Sequence, residues 1–185
     1  MRGFQNIVRG HDERVLLLGV TPELAHIGKT LWAIDRSAAM IAHIWPGDTT
    51  RAHAQEANWL HPPFGDRSFT AIIGDGSLSA VNWPQDYRTL LAEAARLLEP
   101  GGVVALRLFK TPDETETRDA LKADMLAGKC GSFHAFKWRL AMAVVTETGD
   151  SNSAVTDIQA AFDAMFPDRD ALSAAIGWSR EDIDT

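Results

Sequence analysis

The feature of this sequence that most narrows its fold is the alternation of short apolar runs with segments of helical periodicity. Val15–Val20, Thr30–Ile34 closing on Asp35, and Val103–Phe109 are strand length and rich in Val, Ile and Leu. The first and last are nearly continuous, as strands covered on both faces are. Phe69–Ile73, followed by Gly74-Asp75-Gly76, adds a fourth run, and Ala52–Ala57 a weaker fifth. Between them, Ser37 suits the N-cap of a helix over Ala38–Ile44 that Trp45-Pro46-Gly47 ends. Pro84–Leu98 places Tyr87, Leu90, Leu91, Ala94, Ala95 and Leu98 on one helical face, and Glu99-Pro100-Gly101-Gly102 terminates it. Strands alternating with helices predict an α/β fold, a doubly wound parallel sheet with right-handed crossovers and about five strands. Beyond Lys110 the pattern turns helical, over Glu116–Leu126, Phe133–Thr146, Ala154–Phe166 and Arg169–Ile176. Val144-Val145-Thr146 also suits a strand. The expected organisation is a cofactor-binding core over 1–111 and a helical layer over 112–185, packed on the core as one domain.

Composition removes whole classes of function. With 185 residues, 45% hydrophobic and 23% charged, the chain can bury a core and is not disordered. Cys130 is the only cysteine, so no intrachain disulfide or thiolate metal cluster forms, and a reducing environment is expected. A net charge of −7 without any Lys/Arg run argues against duplex nucleic acid and anionic membranes. Met1-Arg2-Gly3-Phe4-Gln5-Asn6 lacks an apolar leader, and no run is long enough to span a bilayer. A cytoplasmic chain is expected, and a homodimer is compatible with it.

In open α/β sheets ligands bind at the carboxyl ends of the strands, which makes the first loop, Leu18-Gly19-Val20-Thr21-Pro22-Glu23-Leu24, the place to look. Thr21 suits an N-cap and Pro22 the first helical position, so Glu23 is expected in the first turn of a helix. Capping alone also accounts for those residues. One glycine and a carboxylate do not cradle a pyrophosphate, which disfavours a nicotinamide dinucleotide. Gly28-Lys29-Thr30 imitates the end of a P-loop but precedes a strand. A carboxylate in this loop suits a ligand with a cationic head such as an α-ammonium group. Asp35, at the end of the second strand, stands where nucleoside sites place the acid for ribose hydroxyls.

Val15-Leu16-Leu17-Leu18-Gly19, Asp35, Phe69-Thr70-Ala71-Ile72-Ile73-Gly74-Asp75-Gly76 and Leu97-Leu98-Glu99-Pro100-Gly101-Gly102-Val103 together resemble the ordered motifs of class I S-adenosylmethionine-dependent methyltransferases. The resemblance covers roughly residues 14–110. It implies a Rossmann-like sheet of order 3-2-1-4-5, S-adenosyl-L-methionine as cofactor and a small-molecule methyl acceptor. Phe133–Ala143 resembles a subgroup of methyltransferase-like proteins with Gly-Val-Thr-Pro-Glu in the first loop. The family's acid before that loop is replaced by Leu17, and Glu23 is the candidate substitute. The family's last antiparallel strand pair is not visible before Thr185, so a shortened or partial form is expected. A non-catalytic methyltransferase-like module that binds a partner is the alternative reading.

Site roles follow from the resemblance. Gly19 lets backbone approach the cofactor, Thr21 and Glu23 complete its loop, and Asp35 takes the ribose hydroxyls. Arg36 and Met40 border the adenosine, Asn58 offers a carbonyl to the adenine amino group, and Trp59 offers a ring. Gly74 and Asp75 lie where donor and acceptor meet, with Asp75 as a candidate catalytic base; an ordinary turn acid has the same signature. His134 shares a helix face with Lys137, Trp138 and Ala141 and is the second candidate base. A surface or core-edge histidine is the commoner reading of that spacing, since such faces are usually just solvated. His11, His26, His43, His53 and His61 show no metal-ligand spacing, and the family's displacement chemistry requires no metal. Arg107, inside an apolar run, is expected to be buried against a carboxylate.

Overall fold

Strand β1 (Arg14–Leu18) takes the centre of a five-stranded sheet because Val15 to Leu18 are apolar at every position and can be covered on both faces. It pairs in parallel with β2 (Thr30–Asp35) on one side and β4 (Phe69–Asp75) on the other. β3 (Ala52–Glu56) and β5 (Leu98–Arg107) complete an all-parallel sheet of order β3-β2-β1-β4-β5. The computed structural model describes residues 2–8, 13–110, 113–150 and 153–184. His11 and the expected boundary at 111/112 lie outside the described residues.

Period-two alternation divides the strands between two cores. Val15 and Leu17 pack with Leu31, Ala33, Ala71 and Ile73 on one face, closed by Phe4 and Val8 of α1 (Arg2–Val8) and by Leu24, Ile27 and Trp45. Leu16 and Leu18 pack with Ile34, Phe69 and Ile72 on the other, against Leu90, Ala94 and Leu97 of α3 (Gln85–Leu97). Each fully buried Leu or Ile contributes about 1.5–3 kcal/mol relative to exposure. Helix α2 (Ala38–Ile44) begins as expected, with the Ser37 hydroxyl accepting from the Met40 N–H at 3.2 Å.

Three differences from the sequence reading have physical reasons. No α-helix follows β1: its connection to β2 makes only a 3-10 turn, Pro22–Leu24, and Thr21 makes no side-chain cap. Leu24 and Ile27 must both reach the core within so short a connection, which leaves no room for a longer helix. Second, β5 starts at Leu98, straight out of α3, instead of after Glu99-Pro100-Gly101-Gly102. Its pairing with β4 shifts register between Phe69 and Ala71, which absorbs the glycines. Gly101 has φ +85°, and a Cβ on Gly102 would come within 3.1 Å of the Thr70 carbonyl oxygen, so both positions suit glycine. The buried Thr70 hydroxyl meanwhile accepts from the Arg14 N–H at 3.0 Å and donates to its carbonyl at 3.2 Å. Third, Arg107 is not buried; it ends an edge strand, and its side chain reaches solvent.

The chain divides into Met1–Phe109 and Lys110–Thr185. The second unit consists of α4 (Arg118–Leu126), α5 (Phe133–Thr148), α6 (Val155–Met165), α7 (Arg169–Ile176) and α8 (Arg180–Asp184). Val144–Thr146 is therefore helical, and α1 and α8 are helices that periodicity did not reveal. The core of this unit gathers Phe133, Phe136, Phe162 and Phe166 with Leu121, Met125 and Leu140. Arg139 of α5 donates to Glu116, just before α4, and at 2.7 Å to Asp124 of α4, and reaches the Cys130 sulfur at 3.4 Å. Burial pushes the Cys130 thiol up, so it behaves as a core side chain. Among the described residues no helix is long and apolar enough to cross a membrane.

Candidate functional site

The carboxyl ends of β1 and β2 converge on one backbone oxygen. The Ile34 carbonyl accepts from the Gly19 N–H at 2.9 Å and from the Trp59 indole N–H at 2.6 Å. Gly19 has φ +107°, and a Cβ there would meet the Trp59 ring at 3.9 Å. The indole thus lies over the bare backbone of the first loop, pinned from a residue beyond β3. Next in β2, Asp35 is half-buried, and its Oδ1 accepts from the Ser37 N–H at 2.9 Å, which fixes the carboxylate at the entrance to α2. The Asp35 carbonyl accepts from the Ala57 N–H at 2.9 Å, securing the start of the segment that carries Asn58 and Trp59.

At the end of β4 the Gly74-Asp75-Gly76-Ser77 turn is tied to its neighbours on both sides. The buried Ser77 hydroxyl donates to the Leu18 carbonyl at 2.8 Å, joining the ends of β1 and β4. Gly74 permits that approach, since a Cβ would collide with the Ser77 side chain and lie 3.0 Å from Leu106. On the other side Arg107 donates to both oxygens of Asp75, from Nε to Oδ1 and from Nη2 to Oδ2 at 2.7 Å. The Asp75 side chain is only 8% exposed.

The first unit therefore brings Gly19, Asp35, Asn58, Trp59, Gly74 and Asp75 to the carboxyl ends of its strands. Arg36 and Met40 are exposed at the start of α2. Asn58 makes a local turn, its Oδ1 accepting from the Leu60 N–H at 3.0 Å, so one lone pair of the carbonyl expected to face a base is engaged at home. Glu23 is exposed on the 3-10 turn, not at a helix N-terminus. His134 lies on α5 in the second unit, exposed, its Nε2 accepting from the Trp138 indole at 3.1 Å. Ser77 and Arg107 are the site residues that sequence reasoning missed as such. A buried serine two residues past a strand-end acid was the available signal for the first, and an arginine aligned with that acid on the next strand was the signal for the second.

The bare Gly19 backbone, the partly committed Asp35 carboxylate and the Trp59 ring fit the ribose and base of a nucleoside. Leu17 is fully buried in the core and offers nothing to an ammonium group. Residues 19–106 match the family described as methyltransferase domain. No curated protein matches the sequence. Among solved structures, a protein from an antibiotic biosynthesis pathway of Anabaena variabilis superposes with TM-score 0.56 at 12% identity, over 80% of this chain and 56% of that one. A SAM-dependent methyltransferase from Aquifex aeolicus gives 0.52 at 16% identity, over 62% and 66%. The sugar N-methyltransferase KedS8 from a Streptoalloteichus species gives 0.53 at 18%, over 63% and 50%. The chain thus spans about half to two thirds of the length of these structures, whose likeness is one of fold. The strand order, the motif positions and the matched residues agree: over residues 19–106 the chain matches the methyltransferase-domain family model, and its sheet core has the fold of the S-adenosylmethionine-dependent methyltransferases it resembles.

Proposed function

We propose that the first unit binds S-adenosylmethionine at the carboxyl ends of β1 and β2 and transfers its methyl group to a small-molecule acceptor. The observation that carries this reading is the convergence of Gly19 and Trp59 on the Ile34 carbonyl, directly before Asp35. Asp35 has a second carboxylate oxygen to accept from ribose hydroxyls while Ser37 holds the first. Trp59 supplies an aromatic face whose position is set by its own hydrogen bond. Glu23 is the carboxylate available in the first loop for an ammonium group. When bound, the cofactor supplies an electrophilic methyl on a sulfonium. The protein's share is to hold that methyl in line with the acceptor and to keep water away. Isothermal calorimetry with S-adenosylhomocysteine tests the reading. Saturable heat is expected; absence of heat at millimolar ligand, with the chain shown to be folded, refutes it.

A second reading has its own observation. Both oxygens of Asp75 accept from Arg107, and His134 Nε2 accepts from Trp138, so each candidate base is already engaged. A module that binds the cofactor without turnover has this pattern. Single-turnover incubation with labelled S-adenosylmethionine and a panel of small nucleophiles separates the two readings.

A further inference from the structure

Among the described residues strand β5 is an edge, paired in the sheet with β4 alone. Beside it lies a slot of about 450 Å³, lined by Gly3, Phe4 and Ile7 of α1 and by Val104 to Arg107 of β5. That volume falls in the range of small-molecule sites, about 300–1,000 Å³. The side chains of the described lining are apolar except at one end, where Arg107 stands. Phe4 contributes to the buried core behind the slot, while Ile7 of α1 is 49% and Val104 of β5 40% exposed.

Arg107 is held as a fixed donor instead of a mobile surface cation. Asp75, nearly buried, grips Nε and one side of Nη2, which sets the guanidinium plane, yet the arginine side chain is 59% exposed. Its Nη1 donors and the outer Nη2 donor therefore point away from Asp75 with no acceptor among the described residues. A planar fork of N–H donors matches the oxygens of a carboxylate or a phosphate. A highly hydrated polyanion is disfavoured by the apolar walls and by the chain's net charge of −7.

We propose that this slot binds a small amphipathic monocarboxylate, its carboxylate on Arg107 and its apolar body against Phe4, Ile7 and Val104. The proposal does not depend on what Gly19 and Asp35 bind. Asp75 is then the positioning residue that orients Arg107 and moderates its charge.

The test titrates the whole chain with octanoate, and with octylamine as a control of equal length and opposite charge, by calorimetry and amide shift mapping. Saturable octanoate binding that shifts Val104–Arg107, with no binding of octylamine, is expected. Arg107→Met should weaken octanoate at least tenfold, and Ile7→Asp should do the same from the apolar end. Asp75→Asn should tighten octanoate several-fold, because it removes a competing carboxylate while the amide oxygen still accepts one of the two guanidinium hydrogen bonds; a merely structural Asp75 would give no gain. Circular dichroism checks that each variant is folded. Equal binding of octanoate and octylamine, or unchanged affinity in folded Arg107→Met, overturns the proposal. So does a concentration-dependent dimer that pairs the β5 edges and leaves no octanoate binding.

Discussion

Replacing Gly74 by alanine perturbs the joint between β1 and β4 at a single atom. The added methyl would collide with the Ser77 hydroxyl and lie 3.0 Å from Leu106 Cδ2 and 3.1 Å from Ser77 Cβ. Gly74 is buried, so the crowding cannot be relieved into solvent. Overpacking of this kind costs about 1–3 kcal/mol. If Ser77 rotates away, the 2.8 Å bond to the Leu18 carbonyl is lost in a buried setting, a further cost of about 1–3 kcal/mol. Gly74→Ala should therefore destabilise the first unit by about 2–4 kcal/mol. Ser77→Ala alone should cost about 1–2 kcal/mol for the orphaned acceptor. The double variant should cost less than the sum of the two by about 1 kcal/mol or more, since the hydroxyl in the way is already gone. Urea unfolding followed through the amide resonances of Leu16–Leu18 reports this unit alone. Strict additivity, or a Gly74→Ala protein within about 0.5 kcal/mol of the parent, would refute the steric account of the turn.

Asp35→Ala should lower affinity for S-adenosylhomocysteine by roughly 10–100-fold, the worth of charge-assisted bonds to ribose hydroxyls, while circular dichroism stays unchanged. Glu23→Gln should weaken S-adenosylhomocysteine several-fold and leave adenosine unchanged by calorimetry; equal losses for both ligands would make Glu23 a loop-shaping residue only. The second unit should lose thermal stability in acid. Hydrogen bonds from Arg139 to Asp124 and from Arg169 to Asp163 and Asp184 hold these carboxyls below the ordinary value of 3.8. Their folded values are depressed, so the stability they add is fully present above that value and is lost as pH falls through the lowered ones. Melting of the second unit between pH 2 and 6 checks this, and Arg169→Met should flatten the acid limb.

The elements that follow from local chemistry were legible. β2, α2 with its Ser37 cap, and α7 lie where periodicity and capping put them, because nothing distant overrides those signals. The first loop reads as a helix start but forms a 3-10 turn: Thr-Pro-Glu is sound capping chemistry, but the demand that Leu24 and Ile27 reach the core lies outside any capping rule. Glu99–Gly102 reads as a helix stop and is one, yet it lies within β5 as the irregularity opposite Thr70, which depends on β4. Arg107 looked buried because its run is apolar, and only the topology reveals that the run forms an edge. The site showed the same division. Gly19, Asp35 and Asp75 are marked by their positions at strand ends. The Trp59–Ile34 bond joins residues far apart in sequence, and no spacing rule announces it.

The measurement that bears most directly on the site is a titration of the isotope-labelled chain with S-adenosylhomocysteine, read at the Trp59 indole N–H and the Gly19 and Asp35 amides. These groups surround the Ile34 carbonyl or adjoin it. All three should shift together and saturate with a single dissociation constant, and the same shifts should be lost in Asp35→Ala. A well-dispersed spectrum in which these three resonances stay fixed at millimolar ligand would contradict binding at this site.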